Sequence, residues 1–159
     1  LVGRQARPLA VDDASERREA MTLEATWSEI QGDLWVVPGS RMKEAGELVV
    51  PITEPMRKIL DKVRREEGLI FPSQTTNGVM SNATMDGVLK RMKVDATPHG
   101  FRSTFRDWAG DCTDHPREIA ELALAHKVGG EVERAYRRSD ALKKRRALME
   151  DWAAFLAGA

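Results

Sequence analysis

The chain holds one cysteine, one tyrosine and three histidines in 159 residues. A lone Cys112 excludes an internal disulfide and suits a reducing compartment. No apolar run approaches the roughly 18 residues needed to cross a bilayer. No charged-then-apolar signal segment opens the chain, so a cytoplasmic protein with no membrane partner is expected. The formal net charge is zero, which weighs against a nonspecific polyanion binder taken as a whole. Internal repeats and low-complexity tracts are lacking too, which excludes solenoid and linker architectures. The length accommodates one domain with a real core and excludes two ordinary ones.

The scarce residues are not scattered. All three histidines, the cysteine and the tyrosine fall between Thr97 and Tyr136. Thr97-Pro98-His99-Gly100-Phe101-Arg102 reads as a helix start: Thr97 can cap free backbone N–H groups, and Pro98 fits the first helical position. His99 and Arg102, three apart, then share a face, with Arg106 one turn on. Phe101, Phe105 and Trp108 form an apolar stripe on another side. A second helix is expected from Asp114, with Pro116 in its first turn, through Ile119, Leu122 and Ala123 to His126. His126 continues that apolar face and should sit at the rim of the core. Tyr136 follows within Arg134-Ala135-Tyr136-Arg137-Arg138, a lone tyrosine flanked by three arginines. From Arg134 to Arg146 there are seven basic residues and one acid, whereas Asp12 to Glu29 is rich in carboxylates. One positive face is therefore expected, against the plainer reading of solvated helix surfaces.

Residues 1–19 show no sustained apolar period and read as a mobile arm. The missing initiator methionine suggests a fragment with partner domains upstream. From Glu24 to Thr53, short β-forming runs around Trp27 and Ile30, over Leu34–Pro38 and over Glu47–Ile52 predict a three-stranded antiparallel sheet, with Lys43 at the tip of its second hairpin. Thr53 can cap a helix through Glu67 that buries Met56, Ile59, Leu60 and Val63. Ser81 or Asn82 caps another carrying Met85, Val88, Leu89 and Met92. Ser139 or Asp140 caps the last, with Leu142, Met149, Trp152 and Leu156 on one stripe and Lys143 to Arg146 mostly off it. The class is α+β, mainly α-helical.

A tyrosine, arginines, histidines and a lysine can together exchange a phosphodiester for a phosphotyrosine without a metal. A phenol with a pKa near about 10 is a poor nucleophile, so cationic neighbours are needed to favour the phenolate. Paired guanidinium N–H donors can grip the nonbridging oxygens and stabilise the charge of a pentacovalent transition state.

His99-Gly-Phe-Arg102-Ser-Thr-Phe-Arg-Asp-Trp, then Leu122-Ala-Leu-Ala-His126, then Ala135-Tyr136 resemble, in order and distance, the catalytic domain of tyrosine recombinases, specifically phage-type integrases. The resemblance covers roughly Glu24 to Gly158. It implies a tyrosine recombinase catalytic-domain fold over 24–159, with residues 1–23 the remnant of the first catalytic-arginine region. It implies Tyr136 as nucleophile, Arg102 as the second phosphate-binding arginine and His99 as the histidine assisting proton transfer. His126 would donate to a nonbridging oxygen, and Lys43, on a mobile hairpin, would be the general acid for the leaving 5′ hydroxyl. Arg18 stands at the right distance before Trp27 for the first arginine, although Met21 replaces the expected glutamate and no apolar helix precedes it. Arg106, Arg134, Arg137 and Arg138 are the further DNA-binding candidates. Double-stranded DNA and a homo-oligomer on it, a tetrameric synapse, are the implied partners, with no cofactor.

Taken singly, these residues have plainer roles: His99 at a helix start, His126 near the negative end of a helix dipole, Tyr136 in amphipathic packing and Lys43 solvated in a turn. Their joint pattern favours the enzyme. Cys112, His115 and His126 match no standard zinc spacing, so no metal site is expected and His115 is unassigned. Two alternatives remain from the sequence: a noncatalytic DNA-binding remnant of an integrase, and a type IB topoisomerase-like relaxing enzyme. An interaction module with a basic terminal helix is a third. The terminal helix itself is expected to dock on a neighbouring subunit, or else on its own domain.

Overall fold

The structure, a computed structural model, describes residues 21–42, 46–126, 128 and 138–158, with side chains omitted for 138–140. It is mixed helix and sheet. Strands β1 (Ile30–Gln31), β2 (Leu34–Val37) and β3 (Leu48–Pro51) form one antiparallel sheet in the order β1-β2-β3. The β1–β2 turn is two residues long, and Gly32 takes the left-handed φ of 60° that such a tight hairpin favours. Trp35 pairs with Ile30 on one side and Val50 on the other, which fixes the register through the middle strand. The expected sheet is present but trimmed. Trp27 lies in a 3-10 turn, Trp27–Glu29, whose amide donates to Gly68 O at 2.9 Å.

Helix α1 (Glu54–Lys62) follows Thr53, with Pro55 in its first turn as expected. It stops five residues short of Glu67. Arg64 to Glu67 offers no apolar side chain to bury, and Gly68 turns the chain into a bridge between Thr26 and Leu69. Met56, Leu60 and Val63 face a core with Ala25, Ile52 and Ile70. Ile59, at the edge of that stripe, is 54% exposed, contrary to the sequence reading. Helix α2 (Ala83–Met92) follows Asn82; Met85 and Leu89 are half-buried, but Val88 and Met92 are exposed.

Helices α3 (Pro98–Cys112), α4 (Arg117–Ala123) and α5 (Arg138–Leu156) build a second core. Phe105, Trp108 and Ala109 of α3 meet Ile119 and Ala120 of α4, Leu124 beyond it, and Leu148 of α5. Trp152 lies edge-on to Phe105 at 5.4 Å and tilted over Trp108 at 4.8 Å. Such ring pairs add about 0.5–1.5 kcal/mol beyond the area they bury. Phe101 is exposed and drops out of the stripe expected for α3.

The last helix takes the second of its two expected placements, with a shifted buried stripe. It packs on α3, α4 and β3 of its own chain. Leu148, absent from the expected stripe, is fully buried at its centre, whereas Leu156 is largely exposed. Arg146, expected off the buried side, is half-buried and pairs with Asp33 Oδ2 at 2.8 Å. Most of its apolar face is therefore covered within the chain, with Phe155 and Leu156 left exposed.

Candidate functional site

The site candidates start from two helix ends. At the first, Thr97 Oγ1 accepts from Gly100 N at 3.0 Å and Pro98 begins α3. This is the predicted cap, and it puts His99 and Arg102 in the first turns. His99 is exposed and Arg102 half-buried.

At the second, α4 ends sooner than the sequence suggests. Ala125 takes a left-handed φ of 56°, its amide donates to Leu122 O at 3.1 Å, and His126 N donates to Glu121 O at 2.9 Å. This pair of bonds is a Schellman closure with alanine in the position usually held by glycine. It throws His126 off the helix and back over Glu121, whereas on a continued helix a residue five positions away would point elsewhere. His126 is half-buried at the rim of the core, as its apolar context predicted.

The two ends meet. Arg102 Nη2 donates to Leu124 O at 2.5 Å, placing a cation on the last carbonyls of α4, and lies 3.3 Å from His126 Nε2. The other ring nitrogen, Nδ1, is 2.5 Å from Glu121 Oε2. Arg106 Nε and Arg117 Nε approach Glu121 Oε1 at 3.5 and 3.8 Å. The hydrogen bond from His126 holds the Glu121 pKa below the usual carboxylate value of 4.5, against burial, which raises it; the charges of Arg106 and Arg117 add to the lowering. Three cationic or proton-bearing groups thus surround one carboxylate, with Arg102 on the far side of the imidazole.

A separate cluster anchors the β2–β3 hairpin. Glu29 Oε2 accepts from Trp35 Nε1 at 2.9 Å and from Arg41, while Arg41 Nη1 reaches Met21 O at 3.2 Å. Thr26 Oγ1 donates to Glu29 Oε1 at 2.9 Å. Arg41 and Met42 are the last described residues before Lys43.

The described residues thus bring Arg102 and His126 into contact and put His99 on the same helix as Arg102. Arg106 is half exposed and paired to Glu121. Tyr136, Lys43, Arg18, Arg134 and Arg137 lie outside the described residues, as does the side chain of Arg138, whose backbone opens α5. Glu121 and Glu29 escaped the sequence reading. The i, i+4 spacing of Arg117 and Glu121 is a visible pairing signal, but nothing local announces the turn at Ala125 that brings Glu121 to His126.

The chain is 36% identical over 144 residues to the prophage integrase IntA of Escherichia coli (strain K12), a match covering 86% of this chain and 35% of that protein. It is 27% identical over 132 residues to the prophage integrase IntZ of the same organism, covering 80% of this chain and 33% of that protein. These similarities support an integrase family. The chain spans about a third of the length of the curated integrases it matches. No family model matches, and no solved structure matches. Among the described residues no helix is long and apolar enough to cross a membrane.

Proposed function

We propose that residues 24–159 form the catalytic domain of a site-specific integrase of the tyrosine recombinase kind, with that family's fold, acting on double-stranded DNA as a homo-oligomer. In this reading the Tyr136 oxygen attacks the scissile phosphorus, a Tyr–O–P bond forms and the bond to the 5′ oxygen breaks. Lys43 gives the leaving oxygen its proton, and the phenol proton is lost to a base that His99 assists. Arg102, His126 and Arg18 donate to the nonbridging oxygens as charge builds on them. Rejoining is the reverse, with a 5′ hydroxyl as nucleophile. Arg106, Arg134, Arg137 and Arg138 would meet backbone phosphates outside the reacting one, a salt-dependent contribution to affinity.

The observation that carries this reading is the meeting of Arg102 and His126 at 3.3 Å across 24 positions of sequence, in a chain similar to prophage integrases. An arginine that cannot lose its proton beside a histidine that can gain one is an arrangement suited to an anionic oxygen.

The test is incubation with a nicked duplex carrying the cognate site, followed by denaturing electrophoresis. A denaturant-resistant adduct is expected from the intact chain, with none from Tyr136→Phe at nearly unchanged duplex affinity. An undiminished adduct in that variant would remove Tyr136 as nucleophile. Salt-dependent binding with no adduct would favour the noncatalytic remnant, and relaxation without strand exchange between two duplexes would favour the topoisomerase-like alternative.

A further inference from the structure

We infer that Glu121 is the positioning residue of this site: its carboxylate fixes the His126 ring with the proton on Nδ1 and aims Nε2 at the space beside Arg102. The inference rests on the function proposed above for its substrate, a phosphodiester, and on the described geometry for everything else.

The argument is one of donors and acceptors. Glu121, its pKa lowered, is ionised near neutral pH and can only accept, so Nδ1 at 2.5 Å must be the donor. A guanidinium has no acceptor to offer, so at 3.3 Å from Arg102 Nη2 the Nε2 atom must be the acceptor. The geometry therefore favours the Nδ1–H tautomer, because a proton on Nε2 would face the N–H of Arg102. Arg106 and Arg117 lie 3.5 and 3.8 Å from the other carboxylate oxygen and face its charge without hydrogen-bonding to it. Arg102 from α3 and Glu121 from α4 contact the ring, and Arg106 and Arg117 lie beyond it, beside the Glu121 carboxylate.

An anionic oxygen entering between Arg102 and His126 changes the pairing. It accepts from Nη2, and Nε2 takes a proton from solvent and donates to it as well. Glu121 then stands opposite an imidazolium, which it stabilises by its charge. Phosphodiester binding and protonation of His126 are thereby linked through Glu121.

Two measurements on the full chain test this. The ¹⁵N shifts of labelled histidine rings, assigned by His126→Ala, should report the Nδ1–H form in the parent chain and its loss in Glu121→Ala. Glu121→Gln keeps an acceptor for Nδ1 but removes the charge. It should form adduct on the nicked duplex about 10- to 100-fold more slowly near pH 8, by analogy with carboxylates that orient metal-ligating histidines. Duplex affinity should hold within about 2-fold, because Glu121 contacts the ring and not the DNA in this reading. In a His126→Ala background Glu121→Gln should cost nothing more. A parent ring protonated on Nε2 alone, or a further loss from Glu121→Gln in the His126→Ala background, would overturn the inference. A parent chain that forms no adduct overturns the enzymatic reading instead, and the ring shifts still decide the part played by Glu121.

Discussion

At the scale of single residues, three positions carry measurable consequences. Leu148 is fully buried between α3, α4 and α5, so Leu148→Ala should destabilise the chain by about 2–5 kcal/mol in chemical denaturation. Ala125 holds a left-handed φ of 56°, a conformation that costs a residue with a Cβ about 1–2 kcal/mol. Ala125→Gly should raise stability by about 1 kcal/mol, less the extra chain entropy that glycine loses on folding; a lower unfolding midpoint would mean the turn is not what closes α4. Glu121 makes stability depend on pH. Its folded-state pKa is depressed, so its contribution is present above the ordinary value of 4.5 and is lost as the pH falls through the lower folded value. Glu121→Gln should remove that acid limb from a plot of unfolding midpoint against pH. Sequence alone marks Glu121 only as a charge on a helix, since its partner is chosen by the backbone turn four residues later.

At the scale of elements, the ends of helices decide the geometry of the candidate site. The start of α3 was legible because its causes are local: a threonine whose hydroxyl satisfies a free amide, and a proline that needs no donor. Thr97→Ala should cost about 1 kcal/mol and Thr97→Ser close to nothing, read from denaturant midpoints. The end of α4 was not legible. With glycine absent from the closing position, the apolar period runs on to His126 and predicts three more helical residues than form. The same limit applies to α1, where periodicity reached toward Glu67 while the helix ended at Lys62 for want of a surface to cover.

At the scale of the whole molecule, α5 joins what the other elements begin. Its Leu148 and Trp152 complete the core of α3 and α4, and its Arg146 reaches Asp33 in the β1–β2 turn. Deleting 138–159 should therefore abolish cooperative thermal unfolding, as seen by near-ultraviolet circular dichroism, because the faces of α3 and α4 are left uncovered. A truncated chain that still melts cooperatively would return the helix to the role of an intersubunit arm. The Asp33–Arg146 pair is a minor part of this attachment. Asp33 is mostly exposed, and Asp33→Ala should cost under about 1 kcal/mol, less at high salt.

The sequence by itself determined the class of elements, the three short strands, the start of α3 and the grouping of His99, Arg102 and His126 as the residues to watch. Those features follow from local causes: side-chain periodicity, a capping hydroxyl, a proline's missing donor, and a motif whose order is written along the chain. Tertiary structure decided the rest. Which apolar face of α5 is buried depends on the surface that α3 and α4 present. Whether Arg102 touches His126, and which carboxylate holds that ring, depends on a left-handed turn and on contacts between residues far apart in sequence. Donor and acceptor pairing across space has no period, so it is read only once the chain has folded.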